Sequence, residues 1–77
     1  MLKLLVLGAG CARCELLEKR TREAAEALGE DYELHHVKEL SQIASFGVML
    51  TPALVVNGEV KLTGKVPPVE EIKKLLA

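Results

Sequence analysis

The segment Leu2-Lys3-Leu4-Leu5-Val6-Leu7 constrains this chain more than any other. It is an almost continuous apolar run that ends at Gly8 and Gly10. A strand with one wet face alternates apolar with polar residues, so a run of this kind fits a strand buried on both faces of a sheet, with helices packed above and below. In a chain of 77 residues there is room for one such core. Residues 1–77 are therefore expected to form a single domain, with no repeat, low-complexity tract or linker to divide it.

The remaining elements follow from their periodicities. From Cys14 onward, Leu17, Thr21, Ala24, Ala25 and Leu28 recur at helical spacing, while Glu18, Arg22, Glu23 and Glu26 take the other side and Gly29 offers a left-handed stop. Tyr32 to Val37 reads as a second strand, returning parallel to the first as a strand-helix-strand unit normally does. Leu40, Ile43 and Ala44, stopped at Gly47, predict a short second helix. Ala53 to Val56 is a third strand, joined through Asn57-Gly58 to a fourth over Glu59 to Thr63. Both residues of that turn tolerate positive φ, the conformation a two-residue hairpin needs. Pro67 and Pro68 start a last helix, with Glu70 and Glu71 at its positive end, Lys73 and Lys74 at its negative end, and Val69, Ile72, Leu75 and Leu76 as its docking stripe. The expected fold class is α/β, in the order β-α-β-α-β-β-α, with a four-stranded mixed sheet.

Charge narrows the partners. Ten Lys and Arg against eleven Asp and Glu give a net charge of −1, and the two aromatics, Tyr32 and Phe46, cannot build a base-stacking platform. Neither nucleic acid nor a membrane surface is expected to bind. The opening run is too short to span a bilayer, and a signal peptide would consume the only first strand, so the chain is read as a mature cytoplasmic protein acting as a monomer.

The chemistry centres on Cys11-Ala12-Arg13-Cys14, where the first strand hands over to the first helix. Two cysteines at this spacing sit one helical turn apart, close enough for a short-loop disulfide, yet the loop is too small to stabilise much as a structural staple. Reversible oxidation is the better use. Cys11 would stand at the helix N-terminus, where unpaired N–H groups and the dipole stabilise a thiolate and Arg13 adds a positive charge. Cys11 is then the nucleophile and Cys14 the resolving thiol, with no cofactor beyond the redox-active Cys11–Cys14 disulfide.

With these elements the chain resembles the thioredoxin-like superfamily, in particular its very small redox-active disulfide proteins of archaea and bacteria. The resemblance covers almost the whole chain: first strand, CxxC at a helix start, Thr51-Pro52 ahead of an Asn-Gly hairpin, and a final helix. It implies a three-layer fold and a protein thiol-disulfide oxidoreductase. Its partners would be protein disulfides and an upstream disulfide reductase. By resemblance, Pro52 is cis and faces the cysteines, and Thr51 offers backbone groups to the bound partner segment. Gly64, where the family has a Gly-Gly pair, would keep the backbone close to the site, with Gly10, Ala12 and Arg13 as supporting residues. The sequence departs from the WCGPC and CPYC motifs, having Gly10 before the first cysteine and Ala12-Arg13 between the two.

Other readings fit less well. Gly8-Ala9-Gly10 begins like a dinucleotide fingerprint, but Arg13 stands where the third glycine is needed. His35 and His36, adjacent on a strand, point to opposite faces, so no metal site is assigned to them. Glu30, Asp31 and Glu33 read as a solvated end. The alternative function is a small soft-metal or metalloid carrier using the two thiolates. Carriers of that type have the order β-α-β-β-α-β, whereas Val69 to Leu76 here is helical in pattern.

Overall fold

The computed structural model describes residues 1–10 and 12–77; Cys11, and with it the expected pairing to Cys14, lies outside the described residues. The elements are β1 (Leu2–Leu7), α1 (Ala12–Leu28), β2 (Tyr32–Val37), α2 (Leu40–Ser45), β3 (Ala53–Val56), β4 (Glu59–Thr63) and α3 (Val69–Leu76). They form a four-stranded sheet in the order β2-β1-β3-β4. β1 runs parallel to β2, from Leu2 opposite Tyr32 to Leu7 opposite Val37. It runs antiparallel to β3, from Leu4 opposite Val56 to Leu7 opposite Ala53.

The apolar character of β1 is explained by what lies on its two faces. Leu2, Leu4 and Val6 share one cluster with Leu17, Ala24 and Ala25 of α1, Leu54 and Val56 of β3, and Ile72 and Leu76 of α3. Leu7 joins the other cluster, with Ala53 and Val55 of β3 and with Ile43 and Val48 on the side of α2. The result is three layers: α1 and α3, the sheet, and α2. Burying each large aliphatic side chain is worth about 1.5–3 kcal/mol, so the central pair β1 and β3 carries much of the stability.

The hairpin forms as its sequence directs. Asn57 and Gly58 both have positive φ, 51° and 83°. The Asn57 side chain adds a link that its turn role does not require. Its Oδ1 accepts from the Lys3 N–H at 2.9 Å, and its own N–H donates to the Lys3 carbonyl at 2.8 Å. Beyond the turn β4 carries a bulge: Val55 pairs with Val60 but Leu54 with Leu62, leaving Lys61 as the extra residue.

α2 forms where the sequence places a short helix, and little of it packs. Of the three apolar residues read as its content, Ile43 is buried, but Ala44 is exposed and Leu40 is 72% exposed. A six-residue helix makes fewer than two turns, and a single position is enough to join its face to the sheet. The histidines separate as a strand requires. His35 is exposed, while His36 directs Nδ1 to Glu18 Oε1 at 2.9 Å. Glu30, Asp31 and Glu33 are all exposed. No helix among the described residues is long and apolar enough to cross a membrane.

Candidate active site

α1 begins at Ala12, immediately after β1 and the Gly8-Ala9-Gly10 bend, so the second cysteine of the motif falls within the first helical turn. Ala12 and Arg13 are exposed, whereas the Cys14 side chain is completely buried. The inward turn of α1 explains the contrast, because Cys14 and Leu17, three residues apart, share the face that meets the sheet.

What Cys14 packs against is set by a glycine. A Cβ placed on Gly8 would collide with Cys14 Sγ, would stand 3.2 Å from Cys14 Cβ, and would lie 3.9 Å from Pro52 Cα. Gly8 is therefore the common neighbour of Cys14 and Pro52, and only a residue without a side chain leaves room for that sulfur. Gly8 is also held to β2, its N–H donating to the Val37 carbonyl at 3.0 Å. The Thr51–Pro52 peptide bond is cis. Pro52 is buried, and Thr51 beside it is exposed.

A second set of contacts joins the motif to Pro52 from the other side. Gly64, at φ 69°, donates its N–H to the Pro52 carbonyl at 2.7 Å. Its own carbonyl accepts from Arg13 Nη2 at 2.9 Å. A side chain on Gly64 would press on Leu50, whose Cβ lies 3.3 Å from that position. Two turns further along α1, Arg20 Nη1 donates to the carbonyls of Val66 and Pro67 at 3.0 and 3.3 Å. Two arginines of one helix thus strap residues 64–67 along its flank.

Of the residues singled out in the sequence, Cys14, Pro52, Gly64 and Arg13 come together through these contacts, and Thr51 flanks them. Gly10, at φ 91°, forms the bend before the motif and has the Lys38 chain at its side: Cε and Nζ lie 3.8 and 4.0 Å from where a Gly10 Cβ would stand. Sequence reasoning missed Gly8, Arg20 and Lys38. Gly8 read as a simple turn residue; its place between the end of β1 and the cysteines was the available signal.

The sequence profile of the thioredoxin domain family matches residues 2–77, nearly the whole chain. The chain belongs to the thioredoxin family. Among its relatives, the thioredoxin of Methanothermobacter thermautotrophicus is 47% identical over 77 residues, covering all of both chains. The thioredoxin of Methanocaldococcus jannaschii is 34% identical over 76 residues, covering 99% of this chain and 87% of the other. The match to the thioredoxin family and the α/β architecture agree, and at that level the chain is a thioredoxin-like redox protein.

Proposed function

We propose that the protein is a thiol-disulfide oxidoreductase that exchanges electrons with protein disulfides through Cys11 and Cys14. The observation that carries this reading is the seat of Cys14: a buried thiol position in the first turn of α1, set against Gly8 and Pro52 and preceded by a second cysteine three residues earlier in the chain. In the proposed reaction the Cys11 thiolate attacks one sulfur of a partner disulfide. A Cys11–partner S–S bond forms, the partner's own S–S bond breaks, and one partner thiolate leaves. Cys14 then loses its proton and attacks the Cys11 sulfur. This closes Cys11–Cys14 and expels the second partner thiolate. Two electrons pass to the partner, whose two thiolates take up protons, and the Cys11–Cys14 disulfide is reopened by an upstream disulfide reductase. No cofactor takes part.

The remaining site residues have supporting roles in this reading. Thr51, exposed and two residues ahead of the first paired residue of β3, offers its backbone N–H and C=O to the partner segment. Pro52 closes the inner side of that slot, and Gly64 with Arg13 holds the slot against α1. The protein acts as a monomer in the reducing cytoplasm.

The test is a titration of the purified protein across dithiol/disulfide buffers, with thiol trapping at each poise and at a range that brackets the roughly −270 mV of thioredoxin. A reversible two-electron transition is expected. Cys14→Ser should accumulate a mixed disulfide with a partner, and Cys11→Ser should not. Thiols that stay reduced at every poise, or that arrive with stoichiometric bound metal, would sink the proposal in favour of a metal carrier.

A further inference from the structure

We propose that the site selects disulfides flanked by acidic residues; the inference rests on the disulfide-exchange reading above and names its substrate class. Some cations of this chain are paired and others are not; among the described residues Lys3, Lys19 and Lys74 are exposed and unpaired away from the cysteine motif. Arg22, Lys61 and Lys73 face carboxylates at 3.4–3.6 Å, and His36 faces one at 2.9 Å. Arg13, Lys38 and Lys65 are exposed, and among the described residues none of them is in an ion pair.

These three stand around the cysteine motif. Lys38 reaches the flank of Gly10, the residue before Cys11. On the other flank Arg13 is bound to the Gly64 carbonyl, and Lys65 follows Gly64 directly. The carboxylates nearest in sequence, Glu15 and Glu39, are exposed and paired with none of the three; Glu39 Oε1 instead accepts from Ser41 Oγ at 3.4 Å.

The opposite end of the sheet is mixed in sign, with carboxylates in excess over Lys3 and Lys61. The strand register places the start of β1, the start of β2, the end of β3 and the start of β4 together, at the end of the sheet away from Cys14. Glu30, Asp31, Glu33 and Glu59 cluster there, all exposed. Unpaired cations beside the motif on a near-neutral protein favour an acidic partner segment there over a basic one. Met49 and Leu50, 95% and 64% exposed beside this rim, suit an extended polypeptide better than a nucleic acid. The occupant is thus a disulfide-bearing segment with Asp or Glu beside its cysteines and an apolar residue nearby.

The experiment compares three synthetic disulfide peptides that differ only in flanking Asp, Ser or Lys, each reduced by the pre-reduced protein in stopped flow. At low ionic strength the Asp peptide should react about tenfold faster than the Lys peptide. The ratio should shrink to about twofold or less at about 0.5 M salt, where screening shortens the reach of surface charge to a few ångströms. The double variant Lys38→Glu/Lys65→Glu should invert the order. Rates indifferent to flank charge, or an order that the double variant leaves in place, overturn the acidic preference while disulfide exchange stands. Failure to reduce any of the three removes the exchange reading itself.

Discussion

Arg13 donates from Nη2 to the carbonyl of Gly64 across 2.9 Å, and so ties the interior of the cysteine motif to a residue 51 positions further along the chain. Because Gly64 in turn donates to Pro52, the arginine helps set the gap between α1 and the segment leading into β3. Replacing it with alanine removes one hydrogen bond at an exposed position, which costs about 1 kcal/mol or less. The expected loss in Tm is about 4 °C, with a larger fractional loss in the rate of protein disulfide reduction. Thermal melts and stopped-flow reduction of the Arg13→Ala protein measure both; a rate that falls no further than stability explains would show that the bond is structural alone.

Gly8 tolerates no side chain, for its Cβ would occupy the place of Cys14 Sγ. Gly8→Ala should therefore destabilise by about 1–3 kcal/mol, the usual cost of overpacking, and should push Cys14 from its seat. Denaturant unfolding reports the first effect and faster alkylation of Cys14 reports the second. Wild-type stability and reactivity in this variant would contradict the packing described.

Ile43 and Leu40 belong to the same short helix and should behave in opposite ways. Ile43→Ala opens a cavity in the cluster around Leu7 and Val55, costing about 2–5 kcal/mol. Leu40→Ser changes a solvated position and should stay within about 0.5 kcal/mol of the parent. Urea midpoints of the two variants, measured together, check the assignment of faces.

Thr21 is fully buried, and among the described residues its hydroxyl has no hydrogen-bond partner. Valine has nearly the same shape without the polar group, so Thr21→Val should stabilise the protein by about 1 kcal/mol. A rise in Tm of about 4–8 °C is the expected reading. A fall would mean that the hydroxyl is satisfied in solution.

Local signals in the sequence were strongest where one physical rule governs a short window. The uninterrupted apolar character of Leu2 to Leu7 specified a strand covered on both sides, and Asn57-Gly58 specified the hairpin because both residues adopt positive φ. The exposure of Leu40 was not legible: helical spacing tells which residues share a face, but not how much of a short helix the sheet can cover. The roles of Gly8 and Arg13 were hidden for a different reason. Each depends on an approach between elements distant in the chain, Gly8 against α1 and Pro52, Arg13 against the end of β4, and pattern within a window carries no measure of such a distance.

The extra residue in β4 also bears on how the molecule meets others of its kind. A four-stranded sheet leaves two borders, β2 and β4, each with backbone donors and acceptors able to recruit a further strand. The Lys61 bulge breaks the repeat of one border and places an ammonium group there beside Glu59, while Glu33 and His35 stand exposed along the other. Ribbon-like polymerisation is thereby discouraged at both margins of a sheet whose central strand is so apolar.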